Sequence, residues 1–261
     1  MLRSRFFLLQ FLPAHLVFLA SILLIEKITI PMLISWFLLW VIVGGFGIEV
    51  GFHRAISHNH FQLSERTKKI LGIIGMFGMN GAPMSWRAMH VVHHRFADTE
   101  NDLHSPIHGF VQSYLSYTWK VEQESKSGNL AFRLAVKQMM KDPFWVFLDK
   151  WVHIIVFTTL VLSLIISPTI AFVISATMIA CYNQTAFVNV FAHGTNGKRS
   201  HDTKDHSLNR PILGYFTFGL SLHNNHHFNP GNPNFGEDRY LDIGYVFGKM
   251  VKFLDEKFSL R

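Results

Sequence analysis

The chain has 261 residues, 49% of them hydrophobic and 14% aromatic, and its mean hydropathy of +0.22 is above that of ordinary soluble domains. Its one cysteine, Cys181, excludes an intrachain disulfide, a four-cysteine zinc site and a cysteine-held iron–sulfur centre. A net charge of +7 comes without a basic helix or an aromatic RNA-binding signature, which argues against a nucleic-acid partner and for basic loops beside a bilayer.

In chain order, Arg3 and Arg5 precede a first apolar run, residues 8–24, with no small-residue cleavage site, so an uncleaved span is expected. Only Glu26, Lys27, Ile28 and Thr29 separate it from a second run, residues 31–50. A third and a fourth, residues 152–166 and 169–188, are joined through Ser167 and Pro168, and Trp145, Asp149, Lys150 and Trp151 form an interfacial belt ahead of the third. These lengths approach the ~20 residues that ~30 Å of hydrocarbon requires. Residues 70–84 are apolar but cut by Gly72, Gly75, Gly78 and Gly81; a re-entrant, interfacial or buried placement is open, and a crossing would part His53 from His90. Near the end, Val246, Met250, Phe253 and Leu254 recur at helical spacing beside Lys249, Lys252 and Lys257, as in a helix lying on a membrane or packed on a cap.

The fold expected is therefore all-α and integral to a membrane, one domain over residues 1–261. Four transmembrane helices form two hairpins, and a helical cap of residues 51–150 and 189–261 holds a di-metal site. Twelve Lys and Arg fall in residues 51–150 and nine after residue 190, which puts both termini and the cap on the cytoplasmic side of this multi-pass protein.

The chemistry sits in three clusters: His53-Arg-Ala-Ile-Ser-His58, His90-Val-Val-His93-His94 and His223-Asn-Asn-His226-His227. With 16 histidines in the chain, one HxxHH arises by chance about 0.06 times, and here there are two. Spacings i, i+3 and i+4 put three imidazoles on one helix face. The HxxxxH spacing turns through about 140° on an α-helix, so His53 and His58 either straddle a metal pair or mark a helix end. An even number of crossings separates the clusters, which lets them converge. Eight imidazoles exceed a structural zinc site and suit two six-coordinate ions of iron, copper, zinc or nickel. Asn189 and His193, four apart at the end of the fourth run, point into the same cap. The other histidines read as structural.

HRAISH, HVVHH and HNNHH, with four spans in two hairpins, resemble the membrane fatty-acid desaturases of the stearoyl-CoA and acyl-lipid Δ9 type. Trp86 four before His90, the stretch from Asp98 to Pro106, Gly109-Phe110, Asn189-Val-Phe-Ala-His193, Asp205, Ser207 and Asn209 carry the likeness further. It implies nine ligands to two iron ions, His53, His58, His90, His93, His94, His193, His223, His226 and His227, with Asn189 holding a metal-bound water. It also implies an acyl tunnel near Val41, Gly45 and Trp86, although small residues at 41 and 45 equally suit close helix packing. The chain departs from the family at Leu103, where Asp-Pro-His is usual, and at Gly219-Leu220-Ser221-Leu222, where a glutamate is usual.

The activity so implied is O2-dependent desaturation of a saturated acyl chain carried on CoA or a lipid, leaving a cis Δ9 double bond. Electrons come from an external donor of ferredoxin or cytochrome b5 type. Arg87 and Arg95 could hold substrate phosphates or simply reflect positive-inside bias. A di-iron membrane hydroxylase is the nearest alternative, and a metal transporter is disfavoured because the histidines lie beyond the span ends.

Overall fold

The computed structural model describes residues 4–118, 120, 130–194, 196–237 and 239–259; residues 121–129 of the expected cap and both extreme termini lie outside the described residues. The helices in chain order are α1 (Phe7–Leu24), α2 (Ile30–Ser57), α3 (Glu65–Gly75), α4 (Pro83–Phe96), α5 (Leu130–Val136), α6 (Pro143–Ile166), α7 (Pro168–Phe191), α8 (Pro211–Phe216), α9 (His223–Phe228) and α10 (Ile243–Ser259). Pairing of extended backbone among the described residues is confined to isolated bridges, Lys198 with Asn209 and Asn209 with Leu222. Helix starts follow local chemistry. Proline occupies the first turn of α4, α6, α7 and α8, where its missing N–H costs nothing. Ser64, Asp142 and Ser167 cap α3, α6 and α7 by accepting the N–H of Thr67, Phe144 and Thr169.

Four helices, α1, α2, α6 and α7, are long and apolar enough to cross a membrane. Helix α7 packs against the other three, while Leu16, Leu19, Ile154, Leu162 and Ile165 stay exposed, as lipid-facing residues do. All four helices outrun the expected apolar spans, two of them by several residues. Helix α2 continues past Val50 to Ser57, because Glu49, His53 and Arg54 find buried partners within the protein, and α6 begins at Pro143 and carries Asp149 and Lys150 in its early turns.

From Val41 to Ser57, α2 has the wide π register, with His58 N–H bonded to His53 O at 3.1 Å. Helix α3 lies along this stretch. Its Gly75 meets Gly47 so closely that a Cβ on Gly47 would stand 2.6 Å from the Gly75 nitrogen. The glycine-cut segment is not one long helix: α3 ends in a short turn, Met76–Gly78, and α4 starts afresh at Pro83 after left-handed residues Met79 and Gly81. Helix α10 docks on α2 through Phe247, stacked on Phe46 at 4.5 Å, and leaves Met250, Phe253 and Leu254 exposed.

Candidate metal centre

The end of α2, the face of α4, the residues after α7 and the whole of α9 converge, and all nine expected histidines meet in two adjacent groups. The first contains His53, His58, His90 and His226. His94 joins it, with its Nε2 at 3.1 Å from His90 Nε2 and 2.9 Å from His226 Nε2. The second contains His93, His193, His223 and His227. The π register explains how HxxxxH takes part. An i to i+5 bonding pattern stacks residues five apart, so His53 and His58 share one face, where the α-helical expectation put them 140° apart.

Ring positions give each group a shape. In the first, His53, His90, His94 and His226 form a ring of four with neighbouring centroids at 4.6–4.7 Å. His58 stands over all four, nearly perpendicular to each, at 4.6–5.0 Å. In the second, His93 and His223 face each other at 6.0 Å, and His193 and His227 each sit beside both.

Do these side chains suit a metal? Carboxylates fix the tautomers. His93 Nδ1–H donates to Asp102, His193 to Asp98 and His227 to Asp205, each at 2.8 Å, and His53 Nδ1–H to Glu49 at 3.2 Å. Each Nε2 therefore bears a lone pair. Yet His93 Nε2 lies 3.1 Å from His227 Nε2, and His193 Nε2 is buried without a hydrogen-bond partner. Lone pairs facing each other repel unless a cation lies between them. Separations of 2.7–3.1 Å between Nε2 atoms match neighbouring ligands at right angles on metal–nitrogen bonds of about 2.0–2.1 Å, which lie about 2.9 Å apart, better than a tetrahedron, at about 3.4 Å. The groups fit metal ions with octahedral angles.

Charge agrees. Burial pushes His90, His94, His223, His226 and His227 well below the usual imidazole value and His58 to about 3, so they stay neutral and ready to ligate. Burial pushes the Asp102 and Asp98 carboxyls up, but His93 and His193 respectively hold both well below the usual carboxylate range.

Three residues important to this arrangement were not singled out in the sequence. Glu49 holds His53 and also accepts from Arg54 Nε at 2.8 Å, and Arg54 bonds both oxygens of Asp242 at 2.8 and 3.0 Å. All three are buried, and Arg54 also stacks over Phe235, whose ring lies 4.3 Å from His226. The signal for Glu49 was present: a carboxylate one helical turn before His53 in an otherwise apolar run. His104, read as structural, lies 4.2 Å from the His93 ring.

A cavity of about 320 Å³ is lined by Trp86, Met89, Tyr117, Asn80, Phe6 and Val152 among others. Trp86, one of its lining residues, stacks on His90 at 4.8 Å. Val41 and Gly45 do not line that cavity, and a Cβ on Gly45 would stand 2.9 Å from the Phe247 ring. Asn189 is buried and donates to Ser113 O at 3.4 Å, and it also hydrogen-bonds Tyr117. Arg87 is spent on carbonyls, those of Ala135, Ile56 and Ser57, whereas Arg95 rests over Phe96.

Four apolar helices bearing two sets of converging imidazoles define a membrane protein with a polyhistidine site able to hold metal. The chain belongs to the fatty acid desaturase family, whose model matches residues 34–235, and is thus an oxidoreductase. It is 32% identical over 228 residues to the sn-1 stearoyl-lipid 9-desaturase of Synechocystis, covering 83% of this chain and 67% of that protein. It is 30% identical over 204 residues to Delta-9 acyl-lipid desaturase 2 of Arabidopsis thaliana, covering 76% and 66%. Against the icosanoyl-CoA 5-desaturase of Limnanthes douglasii the identity is 30% over 210 residues, covering 76% and 57%. The chain spans about two thirds of the length of the first two relatives.

Proposed function

We propose that this protein is an O2-dependent desaturase that introduces a cis double bond, at position nine, into a saturated acyl chain carried on a lipid or CoA. One iron ion is held by His53, His58, His90, His94 and His226, a second by His93, His193, His223 and His227, with Asn189 holding a water beside the second. The observation that carries the reading is the two sets of imidazoles whose Nε2 lone pairs face one another across 2.7–3.1 Å. The iron pair supplies the power to break an unactivated C–H bond, which acids, bases and nucleophiles lack. The chain's own part is placement. Trp86, Met89 and Tyr117 hold the reacting methylenes against the His90 side of the centre and keep water out, and the Tyr117–Asn189 hydrogen bond fixes the amide near His193. Asp98, Asp102, Asp205 and Glu49 keep the Nδ1 protons in place.

The protein is one domain with its four helices in two hairpins, and the cap and both termini face the cytoplasm; the basic residues of the cap and the short links 25–29 and Ser167 support this. Electrons come from a separate donor. Position nine follows the names of the cyanobacterial and Arabidopsis relatives, while the Limnanthes relative named for position five and CoA is the reason to test it. Expression with a compatible donor in a host without desaturases, followed by gas chromatography–mass spectrometry of the lipids, is the test. Monoenes formed by wild type and not by His226→Ala support the reading, and hydroxylated chains or an iron-free purified protein overturn it.

A further inference from the structure

The loop between α7 and α8 lies over the second histidine group and links it to the protein exterior. Resting on the desaturase reading above, we infer that residues 198–210 are the docking surface for a small acidic one-electron carrier protein, and that electrons enter at the group of His93, His193, His223 and His227.

Two short hydrogen-bond links start in this loop. Asp205 accepts from His227 Nδ1 at 2.8 Å. The backbone N–H of the exposed His206 donates to Asp98 Oδ2 at 2.7 Å, and that oxygen also accepts from His193 Nδ1 at 2.8 Å. One residue thus separates solvent from an imidazole of the second group. The first group lacks such a link through its carboxylate, since Glu49 and its partners Arg54 and Asp242 are buried.

The loop is also held in shape. Arg199 donates to the carbonyls of Asp205 and Thr203, and the Asn224 side chain accepts from the N–H groups of Ser200 and His201 while donating to His201 O. A partner therefore meets a surface that is already formed, with little ordering cost. Its outward charge is positive. Lys198, Arg199 and Lys204 are exposed, and among the described residues neither lysine makes an ion pair. Of the nearby acids, Asp205 turns inward to His227 and Glu237 pairs with His201 at 2.8 Å, which leaves Asp202 as the exposed exception. A positive face next to the redox site steers an acidic partner and sets its orientation. The lysines of α10 are different: they flank exposed Met250, Phe253 and Leu254, which suits lipid.

For each double bond the acyl chain gives up two hydrogens with two electrons, and two reduced carriers are each oxidised by one electron. O2 takes these four electrons with four protons, two from the chain and two from solvent, and leaves as two waters.

The test uses the full-length iron-loaded protein with a reduced plant-type ferredoxin as the acidic probe. Carbodiimide, which joins carboxylates to lysines, is expected to link ferredoxin to Lys198 and Lys204. The double variant Lys198→Glu/Lys204→Glu is expected to lose roughly tenfold or more in ferredoxin affinity at low salt and to lose its salt dependence. Its iron content and its single turnover after dithionite reduction and O2 addition stay at the wild-type level, and the Lys→Arg pair keeps affinity. Unchanged affinity in the glutamate variant, or cross-links confined to Lys249, Lys252 and Lys257, overturns the docking surface. Wild-type protein that holds iron but gives no alkene after dithionite and O2 overturns the desaturase reading instead, whatever the cross-links show.

Discussion

The two histidine groups differ in what aims their imidazoles. In the group of four, three rings donate Nδ1–H to an aspartate and His223 donates to Leu220 O, so anions and a carbonyl set the orientation. In the group of five only His53 has a carboxylate. Flat rings hold much of the rest: Trp86 against His90, Phe235 against His226 at 4.3 Å, and His60 stacked on His58 at 5.2 Å. One group is positioned by charge and the other by shape. The lesson is that equal ligands need not respond equally to the same kind of change.

Removing a ring from the shape-held group should have the largest effect. His226 Nε2 faces both His53 and His94, so His226→Ala should abolish detectable product and take bound iron from about two per chain to about one, because the remaining donors no longer form a closed set. Metal analysis of the purified variant checks this; two irons in it would break the comparison. Next comes Asp242→Asn, which leaves the buried Arg54 short of a counter-charge and should destabilise the fold by roughly 3–5 kcal/mol. Denaturant unfolding in detergent reads the loss, and iron loss should begin in the group that contains His53.

A smaller change sharpens the contrast from the other side. Asp102→Asn keeps the shape around His93 and removes the charge, so it should weaken metal binding or activity about 10–100-fold with little change in overall stability. Equal iron loss from both groups would show that charge does not distinguish them. The last expectation is a pH slope. Burial holds His58 at about 3 and several other imidazoles well below their usual value, whereas an unfolded chain takes up protons below about pH 6.5. The unfolded state therefore binds more protons between those limits, and iron-free protein should lose thermal stability steadily as pH falls from about 6.5 toward about 3.

Much of this was legible in the chain. The boxes on α4 and α9 follow i, i+3, i+4 spacing on ordinary helix, so the convergence of His90, His93, His94, His223, His226 and His227 could be read directly. The role of His53 with His58 could not, because spacing arguments assume 3.6 residues per turn and this helix is wider. Helix α2 runs beyond the apolar stretch that hydropathy marks: hydropathy falls where charges begin, but this helix persists because Glu49 and Arg54 are paired inside the protein. Arg54 and Asp242 are 188 residues apart, and only the folded chain shows that they form a pair. Gly45 is legible as a packing residue and as a tunnel residue alike, and the folded chain adds that the Phe247 ring lies against it.

The contact between Gly47 and Gly75 has a consequence for where this protein is fragile. Backbone touches backbone there, and the two strands of chain it joins lead to His58 on one side and to His90 on the other. A single methyl group at either glycine would push α3 off α2 and widen the gap between the first and second boxes without altering any ligand, carboxylate or cavity residue. Random mutagenesis scored by lost activity should therefore collect inactive chains at a spot with no reactive group, whose defect is one of distance and whose cure is a compensating reduction in size nearby.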